Sequence, residues 1–212
     1  MEIAPLEQHW LNLLAQLEAD LLLGKTVLQD LVAAHSTPDR HYHNLLHIQY
    51  LLTLTKLVEG TAKCLSAIKL AAWFHDYIYD SQAQDNEIKS ATHAEKTLTE
   101  LNISADIIRL VKQIILSTDK HQPLTSSIDN LIFLDLDLSI LGASSDNYLQ
   151  YAAAIRKEYS WLSDRDYRQG RKQVLNNFLA REKIYYTDYF ARRLEPQARV
   201  NLANEIKILT FS

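Results

Sequence analysis

Three of the eight histidines fall within seven residues, His41, His43 and His47, in the string Arg40-His41-Tyr42-His43-Asn44-Leu45-Leu46-His47. His43 and His47 are four apart, so on a helix their imidazoles face one groove. A fourth histidine, His75, is followed at once by Asp76 inside the most apolar stretch of the chain, Ala72-Trp73-Phe74-His75-Asp76-Tyr77-Ile78-Tyr79-Asp80. Burying a carboxylate beside an imidazole is costly unless a cation or hydrogen-bond partners compensate both, and a divalent metal does so directly. Imidazole and carboxylate donors together suit Mn, Fe, Co, Ni or Zn, with some tolerance of Mg. Cys64 is the only cysteine, so an internal disulfide and a thiolate zinc cluster are both excluded.

Other residues adjoin this set. Asp80 lies four residues after Asp76 and on a continued helix shares its face. His121 follows Thr118 and Asp119 in a loop, where it is a candidate for a second metal or for phosphate; His93 lies on a polar helix and reads as exposed. Arg168, Arg171 and Lys172 share a helical face and are candidate clamps for phosphate oxygens. Glu158, Asp164 and Asp166 are close enough in sequence to neutralise them as surface ion pairs instead. Arg40 and Lys120 are further substrate-binding candidates because they adjoin the motifs.

The elements that must position these residues are helices. Gly and Pro occur four times each in 212 residues, well under average usage. Apolar periodicity predicts helices over Leu6–Leu23 and Val27–Ala34, with Gly24 as the break between them, and over about Tyr42–Val58 and Ala62–Tyr79. Further helices are expected at Asn86–Leu101, Ala105–Ser117, Asn147–Tyr159, Asp164–Arg181 and Pro196–Leu209, with Pro196 at a first helical position. From Ile132 to Leu141 apolar residues alternate with Asp135, Asp137 and Ser139, a strand-like period; with no partner strand in the chain, helix is the expectation. The whole reads as an all-α helical bundle, one domain over residues 1–212, with the metal-binding motifs within 40–142 and basic helices over 147–209.

The net charge of -4 hides an asymmetry. Residues 156–199 carry 11 Lys and Arg against 6 Asp and Glu, while residues 1–155 carry 10 against 19. An acidic, histidine-bearing front can hold a metal and a basic back an anionic substrate. The chain as a whole is not basic enough for extensive nucleic-acid binding. No apolar run approaches the roughly 18 residues that span a bilayer, and residues 1–23 mix acidic residues into their apolar ones, unlike a signal peptide. The expected setting is the cytoplasm, with no membrane partner.

At these residues the chain resembles the HD superfamily of metal-dependent phosphohydrolases, whose ligand order is H…HD…D, and within it a bacterial branch of predicted phosphohydrolases. The resemblance covers most of the chain. It is carried by Tyr42-His43-Asn44-Leu45-Leu46-His47-Ile48, by the string from Ala72 to Asp80, by Asp85-Asn86-Glu87, and by Leu134-Asp135-Leu136-Asp137-Leu138-Ser139-Ile140-Leu141-Gly142. It implies an HD-type fold and a divalent metal held by His47, His75, Asp76 and Asp137. The Tyr-His-Asn-x-x-His string looks like that of cyclic-nucleotide phosphodiesterases, which implies His43 as general acid. Asp-Leu-Ser in those enzymes matches Asp137-Leu138-Ser139, with Asp135 as rival, since side chains two apart on a helix diverge. Asp80 stands where alarmone hydrolases of the superfamily have an aspartate, and is the expected general base. The implied substrate is a small phosphoester, a nucleotide or a relative of one. The alternatives are a di-iron oxygenase that would add His93 and His121 as ligands, and a metal- or nucleotide-binding regulatory module without turnover.

Overall fold

Short polar residues set where several helices begin. Asp20, Asn44, Ser144 and Ser163 each turn a side-chain oxygen onto a backbone N–H of the first helical turn, at Leu22 and Leu23, Leu46, Asn147 and Asp166 respectively, satisfying donors a helix leaves open. In the computed structural model, which describes residues 3–211, all regular structure among the described residues is helical. The elements are α1 (Ala4–Gln16), α2 (Leu21–Ala34), α3 (Leu45–Leu54), α4 (Leu65–Phe74), α5 (Asn86–Glu100), α6 (Ala105–Ser117), α7 (Ile128–Asp137), α8 (Ser145–Glu158), α9 (Asp164–Leu179) and α10 (Asp188–Phe211). Short 3-10 turns, Thr55–Leu57 and Leu138–Gly142, follow α3 and α7. The all-α expectation therefore holds, including the strand-like alternation, which becomes α7 and its 3-10 continuation. No helix among the described residues is long and apolar enough to cross a membrane.

Among the boundaries that differ from expectation, three have a clear local reason. The first break falls at Leu17–Asp20, where Glu18 takes the left-handed conformation (φ 53°) and Asp20 caps α2. Gly24 sits inside α2, with its carbonyl accepting from Trp10 Nε1 at 2.8 Å, and a Cβ there would stand 2.2 Å from Leu14 Cδ1. It is a packing glycine, letting α1 and α2 approach. Likewise α10 starts at Asp188, so Pro196 lies within it rather than at its start. And α4 stops at Phe74, which changes the surroundings of Asp80.

The chain falls into two compact units, one running up to Leu134 and the other from Asp135. In the first, α4 is the central helix: Ala67, Ile68, Leu70, Ala71, Ala72, Trp73 and Phe74 are all buried, and α3, α5 and α6 pack on it. Trp10 of α1 meets Trp73 edge-on at 5.5 Å, as aromatic pairs favour. In the second unit, α10 packs on α9 and on the 3-10 turn at Leu138–Gly142. Its interior holds an ion pair: Arg171 Nε donates to Glu205 Oε1 at 2.8 Å, and the Tyr148 hydroxyl donates to Glu205 Oε2. The boundary between the units lies within α7, which is unbroken from Ile128 to Asp137.

Candidate metal centre

The end of α4 builds the site. A helix leaves its last carbonyls without intrahelical donors; here His35 reaches that of Trp73, and Arg40 takes carbonyls just past the helix. The Arg40 guanidinium, only 8% exposed, donates to the carbonyls of Asp76 (2.6 Å), Tyr77 (2.9 Å) and His43 (3.1 Å). It also donates to His35 Nδ1 at 3.1 Å, while His35 Nε2 faces the Trp73 carbonyl at 3.3 Å. Since a guanidinium cannot accept, His35 Nδ1 must carry the lone pair and Nε2 the proton. Burial, then the Arg40 charge, push the His35 pKa down to about 3. Arg40, a phosphate-binding candidate by sequence, is thus committed to holding the His75-Asp76 turn against the start of α3.

That arrangement points two imidazoles at one place. His47, in the first turn of α3, and His75, at the end of α4, are 4% and 1% exposed, with their Nε2 atoms 3.2 Å apart. Asp76 Oδ2 is 2.9 Å from His75 Nε2 and 3.9 Å from His47 Nε2. His75 Nδ1 lies 3.3 Å from the Ala72 carbonyl, and the tautomer that donates there leaves Nε2 as a lone pair. Asp137, the last residue of α7, brings a carboxylate oxygen that lies, with a ring nitrogen from each of His47 and His75, in a group all within 4.8 Å of one another. Burial pushes the Asp76 carboxyl up, but His75, His43 and His47 outweigh it and hold it well below the usual carboxylate range.

The donor chemistry fits a divalent cation. Two nitrogens each about 2.1 Å from one ion, at ordinary coordination angles, stand roughly 3 Å apart, as these do. With Nε2 unprotonated on both rings, one shared cation satisfies both lone pairs and the Asp76 carboxylate beside them. The group His47, His75 and Asp137 can hold a metal, with Asp76 alongside.

The remaining sequence candidates divide. His43 precedes the Asn44 cap and so lies outside α3, yet its ring is 6.0 Å from that of His47 and stacks on Tyr79 at 4.3 Å. Asp80 does not share a helical face with Asp76, because α4 has ended; it is exposed, and its Oδ1 accepts from Gln82 N at 2.9 Å. Asp135 is fully buried but turned away to anchor the chain ahead of α10, accepting from Tyr186 N, Thr187 N and the Thr187 hydroxyl, each at 2.7 Å. Burial pushes its pKa up to about 6 against those hydrogen bonds. His93 is half-buried rather than exposed, stacked on Tyr77 at 3.8 Å with Nε2 3.3 Å from the Thr97 hydroxyl. Lys120 is exposed; His121, beside it, is half-buried with φ 47°. Arg168 and Lys172 face a groove of the second unit, whereas Arg171 turns inward to Glu205.

Sequence reasoning does not single out one further residue. Glu87, in the first turn of α5, is half-buried, and its carboxyl is pushed up by burial and by the charges of Asp76 and Asp119, with His121 opposing. Two pairs of hydrogen bonds pin that turn to the segment after His75. Asn86 bonds both the N–H and the carbonyl of Asp80, and the Ser90 hydroxyl does the same for Ile78. Glu87 shares the Ser90 face at a spacing of three. The signal available is the string Asp85-Asn86-Glu87 itself, which contributes to the resemblance but assigns none of its residues a role.

Compared with known proteins, the chain matches no protein-family model, no curated protein and no solved structure at a significant level.

Proposed function

We propose that the protein is a metal-dependent hydrolase of small phosphoesters, with an HD-type fold and a divalent cation held by His47, His75, Asp76 and Asp137. The observation that carries this reading is the convergence of two buried imidazole nitrogens 3.2 Å apart with flanking carboxylates. The H…HD…D order of those residues, with the motifs around them, supports the reaction class. A bound divalent cation supplies Lewis acidity toward water and toward a phosphoryl oxygen.

The chain's own residues take the remaining roles. Glu87, with its raised pKa, is better matched than an ordinary carboxylate to accept a proton near neutral pH, and displaces Asp80 as the preferred base. His43 stands beside His47 with its ring on Tyr79 and donates a proton to the leaving oxygen. Arg40 and His35 position His75 and Asp76. A nucleotide or a relative of one is the proposed substrate class. The di-iron oxygenase is less supported, because it needs His93, whose ring is engaged with Tyr77 and Thr97.

The test is release of hydrolysis products, resolved by chromatography, from nucleotides, cyclic nucleotides, alarmones and sugar phosphates, using chelated protein reloaded with Mn, Fe, Co, Ni, Zn or Mg. Release from at least one class is expected only with added metal. Glu87→Gln should then lower kcat about 100-fold, the lower end for a lost general base, at unchanged metal content. No release from any substrate with any metal would sink the hydrolase reading; full activity in Glu87→Gln would remove only the base.

A further inference from the structure

The second unit carries a cationic groove that the metal-centre chemistry does not use. Arg165, Arg168 and Lys172 lie three and four residues apart on α9, hence on one stripe of the helix. With Gln169 and Leu209 of α10 they line a groove of about 500 Å³ that includes no carboxylate. The nearby acids are occupied elsewhere. Asp164 Oδ1 receives Arg156 Nη2 at 2.8 Å, Asp166 Oδ2 receives the Ser163 hydroxyl at 2.6 Å, and Glu205 is buried against Arg171 and Tyr148. Arg168 uses only its Nε, donating to the Asp164 carbonyl at 3.1 Å, which leaves its terminal NH2 groups to the groove. Three cations therefore face one groove without a carboxylate within hydrogen-bond distance among the described residues.

We propose that this groove binds a linear oligophosphate. Seven residues of α9 separate Arg165 from Lys172, about 10 Å at 1.5 Å per residue, longer than one phosphate group and suited to a chain of them, with Arg168 between. Guanidinium forks match phosphate oxygens in pairs, and Lys172 adds a point charge. A nucleic-acid strand is the weaker fit, because the second unit carries 12 Lys and Arg against 10 Asp and Glu and presents no extended basic face. The phosphate chain can belong to inorganic tripolyphosphate or to a nucleoside triphosphate, and Leu209 gives the latter an apolar wall. This site stands independently of the proposed hydrolase activity.

Calorimetric titration of the full-length protein in EDTA, at low salt, with tripolyphosphate, ATP and orthophosphate tests it. Tripolyphosphate is expected to bind at one site at least tenfold more tightly than orthophosphate, weakening as salt is raised. Arg165→Gln/Lys172→Gln should lose at least tenfold in affinity while retaining its circular dichroism spectrum. ATP equal to tripolyphosphate identifies the phosphate chain as the whole ligand; ATP at least tenfold tighter identifies a nucleotide. No binding of either, or binding that the double variant leaves unchanged, overturns the proposal.

Discussion

Asp135→Asn is expected to destabilise the protein by about 1–3 kcal/mol and leave its metal content intact, and Asp137→Asn is expected to do the reverse. Asp135 accepts three hydrogen bonds from Tyr186 and Thr187, two of them on Oδ2. An amide must present NH2 to one set of those donors, and each buried donor left unmade costs roughly 1–3 kcal/mol. Asp137 instead contributes an oxygen to the group with His47 and His75. Its loss should weaken metal binding by more than the roughly 10–100-fold typical of changes one shell further out. Urea unfolding followed by circular dichroism, beside elemental analysis of the same preparations, separates the two. Metal lost from Asp135→Asn and kept by Asp137→Asn would reverse the assignment.

Mild acid should loosen the first unit through His35. Its pKa is about 3 in the fold and 6.5 in an unfolded chain, so between those values the unfolded state binds the extra proton. Stability from this group is fully present above pH 6.5 and is lost as the pH falls toward 3. At pH 5 the loss is about 2 kcal/mol, because a second ring proton would put a charge in a buried site and confront Arg40 across the 3.1 Å contact. Asp135 works in the opposite sense: with its pKa raised to about 6 from 3.8, its contribution grows as pH falls through that window. The difference between wild type and His35→Gln isolates the histidine. Urea midpoints read from tryptophan fluorescence at pH 7.5 and 5 should fall more in the wild type than in His35→Gln. Equal falls would mean that His35 does not carry the effect.

The parts of this architecture legible in the sequence are those fixed by periodicity and local chemistry. The apolar stripe of α6 and the scarcity of Gly and Pro suffice for an all-helical chain, and His75-Asp76 stands out because charged neighbours are rare in so apolar a stretch. What periodicity cannot convey is where tertiary contacts end a helix. The apolar run through Ala72-Trp73-Phe74 continues to Ile78, yet α4 gives out after Phe74, where His35 and Arg40, more than thirty residues earlier, take the carbonyls of Trp73, Asp76 and Tyr77. Hence Asp80 misses the predicted face, and Asn86 and Ser90 tie the first turn of α5, which carries Glu87, to the segment after His75. Arg171 groups with Arg168 and Lys172 by sequence because all three are basic and close together. Only the fold reveals Glu205, 34 residues on, as its partner. The choice between Asp135 and Asp137 is open in the sequence for the same reason: Thr187, which claims Asp135, is 52 residues away.

Metal binding to the wild-type chain tests, without reference to any substrate, whether His47 and His75 share a divalent cation. Chelated protein titrated with Co²⁺, read by its visible spectrum and by elemental analysis after desalting, should take up tightly bound metal with imidazole ligation. His47→Ala and His75→Ala should each lose that spectrum while remaining helical by circular dichroism. Metal-free wild type after reloading, or a Co²⁺ spectrum that survives loss of both imidazoles, would contradict a cation shared by His47 and His75.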